Sequence, residues 1–243
     1  MIATPVALDW MLVVLMILLS IVEWRWYWPR RVRAIAAGVP GTRAHMYREI
    51  VAAEWVLTAA IVALWVGLGR PWGALLLGAA SPPRLAIGIA LASLLIALLA
   101  AQRRALLARP ERLARVGRAM EHVDALVPAT AGEHRGFAAV SLTAGLCEEF
   151  IYRGFVLGWA GAWGGPVAAV LVSSLVFGFG HLYQGPRHVL RIGALGVFFA
   201  LLAMASGSLW PGILVHAAMD LASGDLGYRS RRAAMEIAGP APA

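Results

Sequence analysis

Seven stretches of this sequence, at about 6 to 22, 50 to 68, 84 to 101, 137 to 158, 166 to 183, 191 to 207 and 209 to 224, are almost wholly apolar. A helix rising about 1.5 Å per residue crosses a hydrocarbon core of roughly 30 Å in about 20 residues. Runs of this length therefore dictate an all-α, polytopic transmembrane helical bundle of about seven spans. Composition agrees: 60% of the 243 residues are hydrophobic and 14% are charged, where a soluble domain has about 25% charged. A further apolar run, WGALLLGAA at 72 to 80, is too short to cross and reads as interfacial or re-entrant. The apolar start lacks a basic region and a clear small-residue cleavage site, which predicts a retained first span.

The net charge of +8 comes from 21 basic residues, all of them arginine. They cluster between the apolar segments, so topology and anionic lipid headgroups account for them and nucleic acid does not. The loop 23 to 49 carries Arg25, Arg30, Arg31, Arg33, Arg43 and Arg48. The loop 102 to 136 carries Arg103, Arg104, Arg109, Arg112, Arg115, Arg118 and Arg135. Short cytoplasmic loops hold the excess of basic residues, which places both inside, the N-terminus outside and the C-terminus inside. The run RRALLARPERLARVGRAMEHV reads as an amphipathic segment on the inner headgroups, broken at Pro110. The chain divides into N-terminal spans and basic loops (1–136), a core (137–224) and a tail (225–243), within one integral membrane domain. A single cysteine, Cys147, excludes an intrachain disulfide and a cysteine-based metal knuckle; nothing nearby in sequence makes it a thiolate, so it reads as an inert buried thiol.

Against this background the run GLCEEFIYRGF at 145 to 155 is anomalous. An ionised group at mid-bilayer costs roughly 2.5 to 3.5 kcal/mol on insertion scales. On a helix Glu149 and Arg153 are four apart and can pair; Glu148, one step round, is left without a local partner and should find one on another span. Phe177 and His181 share a face at the end of the fifth apolar run, and His216 and Asp220 share one in the last. Singly, each has a plain structural reading: a packing histidine, a register-fixing ion pair, a capping aspartate, a core phenylalanine. Together these polar groups argue for a buried polar site, because such residues persist in membranes where they pair or line a cavity. Counting 1.5 Å per residue from the span ends puts His181 near the inner face, Glu148 near mid-membrane and His216 nearer the outer face, a spread that a common site must remove.

The ordered set Glu148-Glu149-x-x-x-Arg153, Phe177-x-x-x-His181 and His216-x-x-x-Asp220, covering roughly 137 to 224, resembles the three motifs of the CPBP family, which comprises the CAAX prenyl proteases and bacteriocin-processing enzymes, also called type II CAAX endopeptidases or the Abi family. The resemblance implies an intramembrane endopeptidase of bacterial inner-membrane type acting on a membrane-embedded or membrane-associated protein or peptide. It assigns Glu148 and His181 to water activation, His216 and Asp220 to the oxyanion, and Glu149 and Arg153 to support. The last motif ends in Asp where the eukaryotic prenyl proteases have Asn; an ionised Asp cannot donate to an oxyanion, so Asp220 either stays protonated or orients His216. No cofactor is expected. Two competitors use the same residues: a zinc-dependent version of the protease, since Glu and His ligate Zn²⁺, and a non-catalytic scaffold or immunity protein.

Overall fold

A computed structural model of the chain describes residues 4–78 and 80–238, so position 79 of the short apolar run and residues 239–243 of the tail lie outside the described residues. Among the described residues every regular element is helical. Helices α1 (Ala7–Val22) and α2 (Trp28–Ala36) are joined by a π-helical turn, Glu23–Tyr27; α3 (Thr42–Gly67), α4 (Pro82–Leu107), α5 (Pro110–Ala119), α6 (Ala131–Glu148), α7 (Leu157–Gly180), α8 (Pro186–Ser206) and α9 (Trp210–Ala238) follow. A second π segment, Glu149–Val156, fuses α6 to α7.

Local sequence sets these boundaries. Thr130 and Glu133 form a reciprocal capping box at the start of α6, with Thr130 Oγ1 accepting from the Glu133 N–H at 3.1 Å. Pro186 opens α8, and Gly207, at φ +67°, closes it in the left-handed conformation that glycine adopts without strain. Pro110, expected to break the amphipathic segment, opens α5, which lies against α9 and α4 with Leu113 buried.

Among the described residues, five helical stretches are long and apolar enough to cross a membrane: Ala7–Ala36, Thr42–Gly67, Pro82–Leu107, Ala131–Gly180 and Pro186–Ser206. The fourth holds two of the expected runs, because the backbone breaks at Gly165 (φ 72°, ψ −172°) before Pro166. Its arms fold back on each other: the Tyr152 and Phe177 rings are 5.1 Å apart between centroids, whereas 25 residues of straight helix would separate them by about 37 Å. The seventh run forms the first half of α9, where His216 and Asp220 interrupt the apolar sequence.

The lipid-facing shell carries exposed apolar side chains such as Val56, Leu98, Leu171 and Leu190, while Ile61, Trp65, Phe155, Val156 and Phe177 form the buried centre. Of the run at 72 to 80, Leu75 inserts into this centre while Trp72 and Leu77 stay exposed. Its 3₁₀ turn Trp72–Leu75 buries Leu75, and the Leu76 carbonyl accepts the Leu209 N–H at 3.3 Å. Ser208 and Leu209 are themselves buried, so the turn preceding α9 is sunk inside the bundle.

Candidate active site

Each motif is delivered by a different structural device. The π segment begins at Glu149, the kind of widened turn that recurs at functional sites, and it brings two consecutive carboxylates to one imidazole. His216 Nδ1 lies 2.9 Å from Glu149 Oε1, and His216 Nε2 lies 3.8 Å from Glu148 Oε2. The approach of α9 needs a glycine, since a Cβ at Gly145 would meet Ala217 at 2.8 Å.

The hairpin at Gly165 delivers the second motif. Glu148 lies seventeen residues before Gly165 and His181 sixteen after it, so the two sit at one depth, with His181 Nε2 3.8 Å from Glu148 Oε2. The sunken turn before α9 does the same for His216. The depth spread expected from counting disappears for these two reasons.

His181 Nδ1 is 3.0 Å from the Phe177 carbonyl. A carbonyl only accepts, so Nδ1 carries the hydrogen and Nε2 presents its lone pair toward Glu148. Asp220 Oδ2 stands 3.7 Å from His216 Nε2, and its carboxylate is the most open of the group, with 38% of the side chain exposed against 16% for Glu148. Glu148 Oε2 is shut from solvent and has no hydrogen-bond partner.

Beneath these groups Glu149 and Arg153 pair at 3.1 Å, both at 1% exposure or less. The guanidinium also donates to the Gly196 carbonyl at 3.3 Å and lies 4.2 Å from the Phe177 ring centroid. Phe199 of α8 stacks on His216 at 5.1 Å. The six polar residues of the motifs thus meet in one place, in three layers: Arg153 at the bottom, then Glu149 with His216, then Glu148, His181 and Asp220. Cys147 is fully buried beside Thr58 of α3, away from this mouth.

Two neighbours carried no motif signal. Tyr183 follows His181 in a 3₁₀ turn and packs on Trp28 at 4.9 Å. Glu54 of α3, the helix that packs against α6 and the π segment, has its Oε2 shut from solvent without a hydrogen-bond partner. Glu54 is a lone carboxylate in an apolar run, with no spacing partner to flag it. Among the described residues no group of three His, Cys, Asp or Glu side chains is gathered as a metal site.

Residues 133–222 match the family model described as Rce1-like, type II CAAX prenyl endopeptidase Rce1-like, in agreement with the resemblance read from the motifs. No curated protein and no solved structure matches the chain.

Proposed function

Starting from a chain that carries an Rce1-like segment over residues 133–222, which implies CAAX-type intramembrane endopeptidase activity in general, we propose that it hydrolyses a peptide bond of a membrane-associated or lipid-modified protein using water activated by Glu148 and His181. The observation that carries this reading is the unpartnered Glu148 Oε2 facing the Nε2 atoms of His181 and His216, each at 3.8 Å. Gaps of this size suit a small polar molecule between the groups better than direct hydrogen bonds.

In this mechanism Glu148 takes a proton from water as the water oxygen bonds to the scissile carbonyl carbon, and His181 Nε2 holds the water's second hydrogen. His216 faces the developing oxyanion. The Glu149 carboxylate at Nδ1 allows its ring to carry hydrogen on both nitrogens while negative charge builds. The carbon–nitrogen bond then breaks, and protonated Glu148 returns its proton to the leaving amine. Asp220, across from Nε2, orients the His216 ring. No acyl-enzyme and no metal-borne step is required. The exposed arginines of α5, Arg112, Arg115 and Arg118, face anionic headgroups in this reading.

Glu148→Gln and His181→Ala should each lower cleavage by about 10²-fold or more with unchanged yield of folded protein, assayed by comparing membrane proteomes of cells carrying wild type and variant for an uncut substrate. Full activity in either variant would sink the assignment and favour the scaffold reading. Retention of activity after exhaustive chelation separates this mechanism from a zinc-dependent one.

A further inference from the structure

The turn between α5 and α6 and the first two turns of α8 bring four bases together. His122 and His188 lie face to face, with ring centroids 4.2 Å apart and planes within 3° of parallel. His188 Nδ1 is shut from solvent without a hydrogen-bond partner, whereas His122 is exposed and its Nδ1 lies 3.0 Å from the Ala119 carbonyl. Arg191 is three residues on from His188 and four from Arg187, so the three are neighbours on the surface of α8, and both arginines are exposed. Among the described residues no carboxylate pairs with any of the four bases, and Glu121, next to His122 in the chain, is exposed and joins no ion pair. Arg31, Arg103 and Arg231, by contrast, each have an acid of their own.

Bases gathered without an acid repel one another as they charge, and an anion among them removes that repulsion. The adjoining surface identifies its source. α8 packs against α7, α4 and α9, and its free face carries the exposed side chains of Leu190, Phe198 and Leu201, Leu190 being 77% exposed. This apolar stripe suits lipid chains, and it ends at Arg187 and Arg191, whose guanidinium forks match phosphate oxygens. We propose that His122, His188, Arg187 and Arg191 form a binding site for the phosphate of an anionic phospholipid whose acyl chains lie along α8. The site stands apart from the group around Glu148, and it holds whichever bond that group cleaves.

The test uses purified full-length protein in phosphatidylcholine nanodiscs and in mixed phosphatidylcholine–phosphatidylglycerol nanodiscs. Histidine ring resonances are followed by NMR through a pH titration, with His122 assigned by its loss in His122→Gln. An anionic surface of about −30 mV raises the midpoint of any exposed histidine beside it by about half a pH unit, and His45, 66% exposed at the start of α3, reports that background. Between the two nanodiscs the His122 midpoint should rise at least about one pH unit more than that of His45, which corresponds to about tenfold tighter phosphate binding by the protonated ring. Arg187→Gln combined with Arg191→Gln should abolish the excess. A rise no larger than that of His45 overturns the proposal whether or not the variant folds, and so does an excess that survives the two replacements. Inorganic phosphate giving the same excess over phosphatidylcholine nanodiscs assigns the site to a free anion and overturns the lipid reading.

Discussion

Arg153 shows how one side chain can fix the geometry of three helices. Its guanidinium is sealed between Glu149, the Gly196 carbonyl and the Phe177 and Phe199 rings, so it ties the π segment to α7 and α8. Removing one member of a buried ion pair leaves an uncompensated charge and costs about 3–5 kcal/mol. Arg153→Met should therefore destabilise the protein by about that amount, read as loss of thermal stability in detergent. The double variant with Glu149→Gln should recover part of the loss, giving a coupling of about 1 kcal/mol or more; strict additivity would mean that the pair is not coupled. At this scale much was legible in the sequence. Spacings of four put Glu149 with Arg153, Phe177 with His181 and His216 with Asp220 on common helix faces. Glu54 was illegible because the burial of its Oε2 comes from the packing of α3 on α6, which no local spacing encodes.

Among the elements, the hairpin carries the strongest demand on sequence. At φ 72° and ψ −172° Gly165 occupies backbone space essentially closed to other residues. Gly165→Ala should cost about 1–3 kcal/mol and, because Glu148 and His181 meet only through this reversal, should lower activity further than the stability loss alone explains. Cleavage measured at a temperature where the variant remains folded checks this. The sequence announced the two apolar runs on either side of this point, 137 to 158 and 166 to 183, but not the sharp reversal between them. What it could not reveal was that the turn before α9 is buried, since Leu209 reaches that depth through Leu76 on a distant loop.

A second element to test is the turn between α5 and α6. It is fastened by Tyr47 donating to the Leu126 carbonyl at 2.6 Å and Arg43 donating to that of Ala125 at 3.1 Å, and its His122 stacks on His188 at 4.2 Å. Partial burial, then the neighbouring His188, holds His122 below the ordinary histidine value of 6.5; Arg191 acts the same way, while Gln184 and the Ala119 carbonyl oppose it. A base whose folded value is depressed contributes its full stability above 6.5 and loses it as the pH falls below that point. Hydrogen exchange in residues 120–127, corrected for intrinsic rates, should be faster at about pH 5.5 than at about pH 8. His122→Ala should remove the difference.

For the whole molecule, the arginine distribution predicts sidedness, with the turn between α2 and α3 inside and the loop before α4 outside. The one native cysteine is fully buried, which leaves a silent background for labelling. A membrane-impermeant maleimide applied to intact spheroplasts should modify Ser81→Cys and spare Ala37→Cys; the opposite pattern would invert the topology. Several inner-side arginines expected at lipid headgroups have internal work as well: Arg31 bridges Glu23 and Glu49, Arg103 binds Asp225, and Arg231 binds Asp124. Charge counting cannot separate these from the lipid-facing ones, because the distinction depends on which acid lies across the bundle. The opposite end holds an ion pair of its own, with Arg70 gripping the buried Asp9 through two bonds of 2.7 Å, so α1 is stapled to the loop that follows α3.

The bridging of Glu148 and Glu149 by His216 has a consequence for the order of biosynthesis. Glu148 and His181 leave the ribosome well before α9, yet the imidazole that joins the two carboxylates is the later contribution of α9. A nascent chain stopped before residue 216 holds Glu148 and His181 without the third wall. On the proposed mechanism the site therefore stays incomplete until the last motif has been translated and docked.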